Sequence, residues 1–294
     1  MKLFSKGSDA KQDSGQSYIL QRRHILNKNS SFYVQEAYKT LRTNIRFFLS
    51  GDGCKRFCIT SGLASEGKSI TILNLAISFA ETGAKVLLID ADLRRPSLAR
   101  LLIENASPGL SNVLAGLCKP EEAIRKSAYN NLDVMFSGEI PPNPSELLGN
   151  PRMEKTIEKL STIYDYILVD TPPVGVVSDV CVMAQHLDGV LFLVRQNYTE
   201  KDAVARGIKQ LEISGAKLMG FVLNGADKSR NSRYSRKYKY KSKYGYYRYG
   251  YRYGYGYGYG KKPSDEKAQV FQQPNVTQHP APAQPSEEKK AAKK

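Results

Sequence analysis

Two kinds of hydrophobic spacing alternate along the chain. Short apolar runs occur at residues 56–61, 85–90, 132–136, 166–170, 189–194 and 218–223. These predict strands, and the run at 85–90, apolar at successive positions, predicts one buried on both faces, as in a parallel sheet. Between them, apolar residues recur at three- and four-residue spacing, which predicts helices over 31–49, 69–82, 97–103, 110–115, 120–126, 145–148, 152–162, 176–186 and 200–213. In the first helix Phe32, Ala37, Leu41, Ile45 and Phe48 can share one face, while Glu36, Lys39 and Arg42 form a charged stripe on another. The strand–helix alternation predicts an α/β fold: a mainly parallel twisted sheet with helices on both faces. Residues 1–30 are polar without a sustained period and predict a loose arm. Past Asp227 aliphatic residues all but vanish, so the globular part is expected over 31–227.

The turn between the first strand and the helix after it carries the sharpest chemistry. Gly62-Leu63-Ala64-Ser65-Glu66-Gly67-Lys68-Ser69 reads G-x-x-x-x-G-K-S, the phosphate-binding P-loop. A helix N-terminus offers unpaired N–H groups and a partial positive charge to phosphate. Lys68 would reach the β- and γ-phosphates, and the Ser69 hydroxyl would ligate Mg²⁺. The nucleotide contacts expected from this region are Gly62, Ala64, Ser65, Glu66, Gly67, Lys68, Ser69 and Ile70, with Asn224 at the end of the last strand. Two other strands end in acids, at Asp90 and Asp170, and Asp92 follows Asp90 by two. Carboxylates at the carboxyl ends of parallel strands lie where such sheets bind ligands. Ser69, Asp92 and Asp170 are the candidate metal side, with Asp170 in the Walker B role. Asp90 is then available as a base or orienting group, although the split between Asp90 and Asp92 stays open. Arg94 and Arg95 either touch phosphate or face solvent.

Charge changes the picture of the C-terminus. The net charge is +16, but twelve Lys or Arg and no acid lie between Lys228 and Lys262, leaving about +4 for the rest. Twelve tyrosines stand among them, nine of which form the dense run Tyr244, Tyr246, Tyr247, Tyr249, Tyr251, Tyr253, Tyr255, Tyr257 and Tyr259. The chain is thus divided at 1–30, 31–227, 228–260 (basic tyrosine cluster) and 261–294 (Pro-, Gln-, Lys- and Glu-rich tail). A flexible tyrosine can enter an active site where a packed one cannot. Each phosphate would add about −1.5 to −2 at pH 7, so full modification would carry the cluster from +12 to about −6 to −12. Phosphorylation is therefore expected to weaken the tail's contacts with acidic partners or membrane and to loosen any oligomer. The four cysteines form no C-x-x-C pair and the three histidines are scattered, which excludes a zinc site of ordinary spacing. No apolar run approaches the roughly 20 residues that span a bilayer, so a cytoplasmic protein is expected.

Taken together, these stretches resemble the bacterial tyrosine autokinases, in the form whose kinase is a separate cytosolic polypeptide. The resemblance rests on Glu36 to Asn44, the P-loop with Glu66, Leu87 to Arg94, Pro142 to Leu148, Tyr164 to Pro173 and the tyrosine cluster. It implies a P-loop NTPase-like fold, ATP and Mg²⁺ as cofactors, Lys68, Asp90 and Asp92 as catalytic residues, and trans autophosphorylation of the cluster. It also implies a ring-like homo-oligomer built on Glu36, Lys39 and Arg42. Lys39 stands where the family has arginine, and lysine cannot make a bidentate fork with a carboxylate. Ala64 stands where the family often has proline. The resemblance further implies regulation of capsular or exopolysaccharide synthesis through protein substrates of that machinery. Implied partners are an activating membrane-embedded modulator, which would recruit the chain to the inner face of the membrane, and an opposing tyrosine phosphatase.

Two other readings share some of these residues. A nucleotide-switched positioning ATPase of the ParA/MinD type has the same acids, but its P-loop carries an extra lysine where this chain has Leu63, and it has no use for the tyrosines. Nucleic-acid binding through interleaved Tyr and Arg/Lys would rest on base stacking and phosphate neutralisation; the resemblance points away from it.

Overall fold

A computed structural model describes residues 20–226; the tyrosine cluster and the segment after it lie outside the described residues. Seven strands form one sheet in the order β3-β4-β2-β5-β1-β6-β7. They are β1 (Lys55–Ser61), β2 (Val86–Asp90), β3 (Ile124–Lys126), β4 (Leu132–Met135), β5 (Tyr166–Asp170), β6 (Gly189–Arg195) and β7 (Leu218–Asn224). All pairings are parallel except β3 against β4. The nine helices among the described residues that concern the site are α1 (Phe32–Phe48), α2 (Lys68–Ala80), α3 (Leu98–Leu102), α4 (Leu110–Ala115), α5 (Pro120–Ala123), α6 (Pro144–Leu148), α7 (Pro151–Ser161), α8 (Asp179–Met183) and α9 (Lys201–Ile213). A 3₁₀ turn over Ala184–His186 follows α8.

The strand period of two splits the core into two layers. Phe57, Ile59, Val86, Leu88 and Leu168 point to the face covered by α2, with Phe79, Leu73 and Ile72. Cys58, Leu87, Ile89, Ile167 and Val169 point to the other, against Leu110, Met153, Ile157, Val180 and Leu211. Each of these strand residues is fully buried, so the continuous apolar runs follow from helices on both faces. Cys58 serves as a small apolar filler, its thiol pushed well up by burial.

Three predicted elements differ. The predicted helix over 120–126 stops at Ala123, and Ile124–Lys126 turn into the antiparallel edge strand β3. The helix predicted over 176–186 is only α8 plus its 3₁₀ turn, because Pro172-Pro173 and the turn after them occupy the first residues. On α1, Ile45 alone is buried, with Tyr38 and Leu41 packed beside it. Phe32 and Ala37 are exposed, and Phe48 is largely so. The inward face is set by polar anchors on α2: Asn74 Nδ2 donates to Tyr38 Oη at 3.1 Å, and Arg42 Nη1 to Ser78 Oγ at 3.0 Å.

Residues 20–30 are docked, unlike the loose arm expected. Ile25 and Leu26 are buried in the α2 layer. Asn74 clamps them: its Oδ1 accepts from Leu26 N at 2.7 Å and its Nδ2 donates to His24 O at 2.8 Å. No helix among the described residues is long and apolar enough to cross a membrane.

Candidate active site

The strand order brings the site together. β5 lies between β1 and β2, so the P-loop after β1 sits beside the ends of both acid-bearing strands. In register, Asp90 faces Asp170 across β2–β5, and Asp170 faces Ile59 across β5–β1. The cleft above these ends is an open cavity of about 2130 Å³ whose walls include Lys68, Ser69, Asp92 and Asn224.

The P-loop is held by its own polar groups. Ser65 and Gly67 both take positive φ, +60° and +95°. At Gly67 a Cβ would lie 2.4 Å from Asn224 Nδ2, so glycine is required by space as well as by φ. Asn224 uses that nitrogen to donate to the Glu66 carbonyl at 2.8 Å and also lines the cleft. The Glu66 carboxylate is fully buried and accepts from Leu63 N at 3.0 Å and from the Thr199 hydroxyl. No side chain caps the start of α2, which leaves its first-turn N–H groups for an anion.

The three aspartates have different surroundings. Asp90 is fully buried; its carboxylate accepts from Asp92 N at 3.3 Å, Ser97 N at 3.2 Å and Leu98 N at 3.1 Å. Burial and then the charge of Asp170 push its pKa well above the ordinary carboxylate value, against those N–H groups. Asp92 is half-buried, faces the cleft, and accepts from Arg95 N at 2.9 Å. Asp170 is fully buried and neither of its oxygens has a hydrogen-bond partner. Its pKa is raised by burial first; Ser69, Lys68 and the Thr171 N–H oppose the rise without closing a bond of full geometry. Burial in turn lowers the Lys68 pKa, opposed by Asp170, Asp92 and Glu66. A buried carboxylate with two empty acceptors beside a serine hydroxyl fits a hard cation held by one or two carboxylates and phosphate, as Mg²⁺ prefers.

A family of AAA domains matches residues 62–212. Tyrosine-protein kinase YwqD of Bacillus subtilis (strain 168) is 38% identical over 215 residues, covering 73% of this chain and 91% of the relative. The chimerical protein CapA2B2 superposes with a TM-score of 0.65 at 33% identity, over 69% of this chain and 88% of that one. The kinase domain of Escherichia coli tyrosine kinase ETK superposes with a TM-score of 0.64 at 32% identity, over 74% and 80%. The chain belongs to the bacterial tyrosine-protein kinases. The expected P-loop NTPase-like fold and tyrosine-kinase class hold, and the positioning-ATPase reading gives way to them.

Within the kinase, Arg94 is exposed, as one of its two readings had it, but it is also tied into the fold. Its Nε and Nη2 fork onto Asp179 at 2.8 and 2.9 Å, and Nη2 also donates to Ser145 Oγ at 2.9 Å. Asp179 is fully buried and also accepts from the Ser145 hydroxyl. This ties the loop after β2 to α6 and α8. Asp179 drew no notice in the sequence, since one acid before a short apolar stretch carries no signal; Ser145 stood inside a motif without a stated task. Arg195, Tyr198 and Thr199, which touch the P-loop, were equally silent.

The kinase's charged stripe on α1 is split. Glu36 and Lys39 pair with each other at 2.8 Å on the surface, whereas Arg42 turns inward to the Ser78 carbonyl and hydroxyl. The nine acceptor candidates from Tyr244 to Tyr259 lie outside the described residues.

Proposed function

We propose that the kinase binds Mg-ATP in the P-loop cleft and transfers the γ-phosphoryl group to the C-terminal tyrosines of a neighbouring copy. The observation that carries this is the meeting, in one cleft, of an uncapped P-loop helix, Lys68 and the cleft-facing carboxylate of Asp92. The N–H groups of the loop and the Lys68 ammonium hold the β- and γ-phosphates. Bound Mg²⁺, held by Ser69 and Asp170 with Asp92 near, would neutralise phosphate charge. Asp92 orients the tyrosine hydroxyl and accepts its proton as Oη bonds to the γ-phosphorus and the bond to the bridging β–γ oxygen breaks, releasing ADP. Asp90 is fully buried and accepts from three backbone N–H groups of the loop that carries Asp92, which it holds in place.

The first tyrosine of the dense cluster, Tyr244, follows the last described residue, Ala226, by 18 positions. A chain of that length spans at most about 60 Å, enough to reach an adjacent subunit. The wider reading follows the relatives. The kinase acts as a homo-oligomer in capsular or exopolysaccharide synthesis, is recruited by a membrane-embedded modulator, phosphorylates proteins of that machinery, and is opposed by a tyrosine phosphatase. Arg42, engaged with Ser78, would contribute to an oligomer by fixing α1, with Glu36 and Lys39 outward.

The test is a mixture of two chains: Lys68→Met with an intact tail, and wild type truncated after Asp227. Phosphotyrosine on the Lys68→Met chain is expected. If that chain stays unlabelled while full-length wild type labels itself, transfer is within one chain and the trans reading is wrong.

A further inference from the structure

Arg195, at the end of β6, and Tyr198 and Thr199, in the turn after it, bond to three consecutive P-loop residues. Tyr198 Oη donates to the Ala64 carbonyl at 3.2 Å, Arg195 Nη1 donates to the Ser65 carbonyl at 2.9 Å, and the Thr199 hydroxyl donates to the Glu66 carboxylate. The turn is closed on itself. Arg195 N donates to Thr199 Oγ1 at 2.7 Å, and the Arg195 guanidinium lies 5.1 Å from the centroid of the Tyr198 ring. Tyr198 N and Thr199 N both donate to the Arg195 carbonyl, at 3.2 and 3.0 Å. Its base is tied to β7 by Gln196 N donating to Asn224 O at 2.9 Å, and Asn224 is the residue that grips Glu66 from the other side.

We propose that Arg195 and Tyr198, with Thr199, form a clip that holds the P-loop in its phosphate-binding shape, and that both are positioning residues for ATP. The proposal rests on the reading of this loop as the ATP site. In a trans peptide the C=O and N–H point in opposite directions. A clip that fixes the carbonyls of Ala64 and Ser65 outward therefore fixes the N–H groups of Ser65 and Glu66 away from it, as a row of donors suited to an anion. Ser65 has φ +60°, a conformation that costs any residue bearing a Cβ and persists only where its surroundings hold it. The guanidinium on its carbonyl supplies that hold.

Arg195 also borders the cleft, so a direct contact with the nucleotide is the competing role. The two are separated by steady-state kinetics of tail phosphorylation on the full chain. Arg195→Gln is expected to raise KM for ATP about tenfold, the worth of one charge-assisted hydrogen bond, with kcat within about twofold. Tyr198→Phe, which removes one oxygen, is expected to raise KM about fivefold. Adding Ser65→Gly to Arg195→Gln is expected to recover about threefold of the loss, because glycine takes positive φ without a Cβ. If both single variants keep KM within twofold of wild type, there is no clip. If KM rises in Arg195→Gln and Ser65→Gly recovers nothing, Arg195 serves the nucleotide directly and the positioning role is wrong. Should Arg195→Gln fail to fold, Tyr198→Phe decides alone. Lys68→Met with undiminished phosphorylation would instead overturn the ATP-site reading itself.

Discussion

Asp170 is the residue at which structure and chemistry conflict most openly. The chain buries a carboxylate completely and gives it no hydrogen-bond partner, an arrangement that costs stability unless a cation completes it. Asp170→Asn is therefore expected to stabilise the protein without Mg-ATP by about 1 kcal/mol, a rise in Tm of about 2–4 °C for a domain of this size. The same variant should lose the further stabilisation that Mg-ATP gives wild type. Thermal melts with and without Mg-ATP check both halves; a less stable Asp170→Asn without ligand would mean that the carboxylate has a structural partner. Asp90 shows the contrast. Equally buried, it accepts from three backbone N–H groups, which tie it to the loop that carries Asp92.

At the scale of elements, the β1–β6 pairing is pinned from its open end by Asp188. Its carboxylate accepts from Arg56 N at 2.7 Å and from Arg56 Nη2 at 2.9 Å. Burial pushes the Asp188 pKa up, but the bonds from Arg56 outweigh it and the net shift is downward. A folded-state pKa below the unfolded value gives stability that is complete above the ordinary carboxylate value near 4 and is lost as pH falls through the folded one. With both side chains about a third exposed, solvent screening reduces the pair to about 1 kcal/mol. Asp188→Asn should be less stable by that amount at pH 7, with the gap closing below about pH 4 in denaturant titrations. A gap unchanged at low pH would assign the effect to packing. The same elements show what the sequence makes legible. Continuous apolar runs announced the buried central strands, though the edge strand β7 leaves Phe221 and Leu223 exposed, and the glycines and lysine of the P-loop announced the turn into a helix, because both depend on local spacing. The inward face of α1 was misread because Asn74 and Ser78, polar residues on another helix, decide it. The Arg94–Asp179 pair and the contacts of Arg195 and Tyr198 with the P-loop join residues 85, 130 and 134 positions apart, and no period in the chain encodes such meetings.

For the whole molecule, a near-neutral catalytic domain and a strongly basic tyrosine cluster are parts of one chain. Phosphoryl transfer onto the cluster would reverse its charge, so the product of the reaction alters the tail's own electrostatic partners. That account stands on one claim: the P-loop's γ-phosphate goes to tyrosine and not to water. Mass spectrometry of the 228–260 segment after incubation with Mg-ATP tests it most directly, comparing wild type with Lys68→Met. The account predicts multiple phosphotyrosines in wild type and none in Lys68→Met; an unmodified wild-type tail with ATP consumed, or equal phosphate in both proteins, would contradict it.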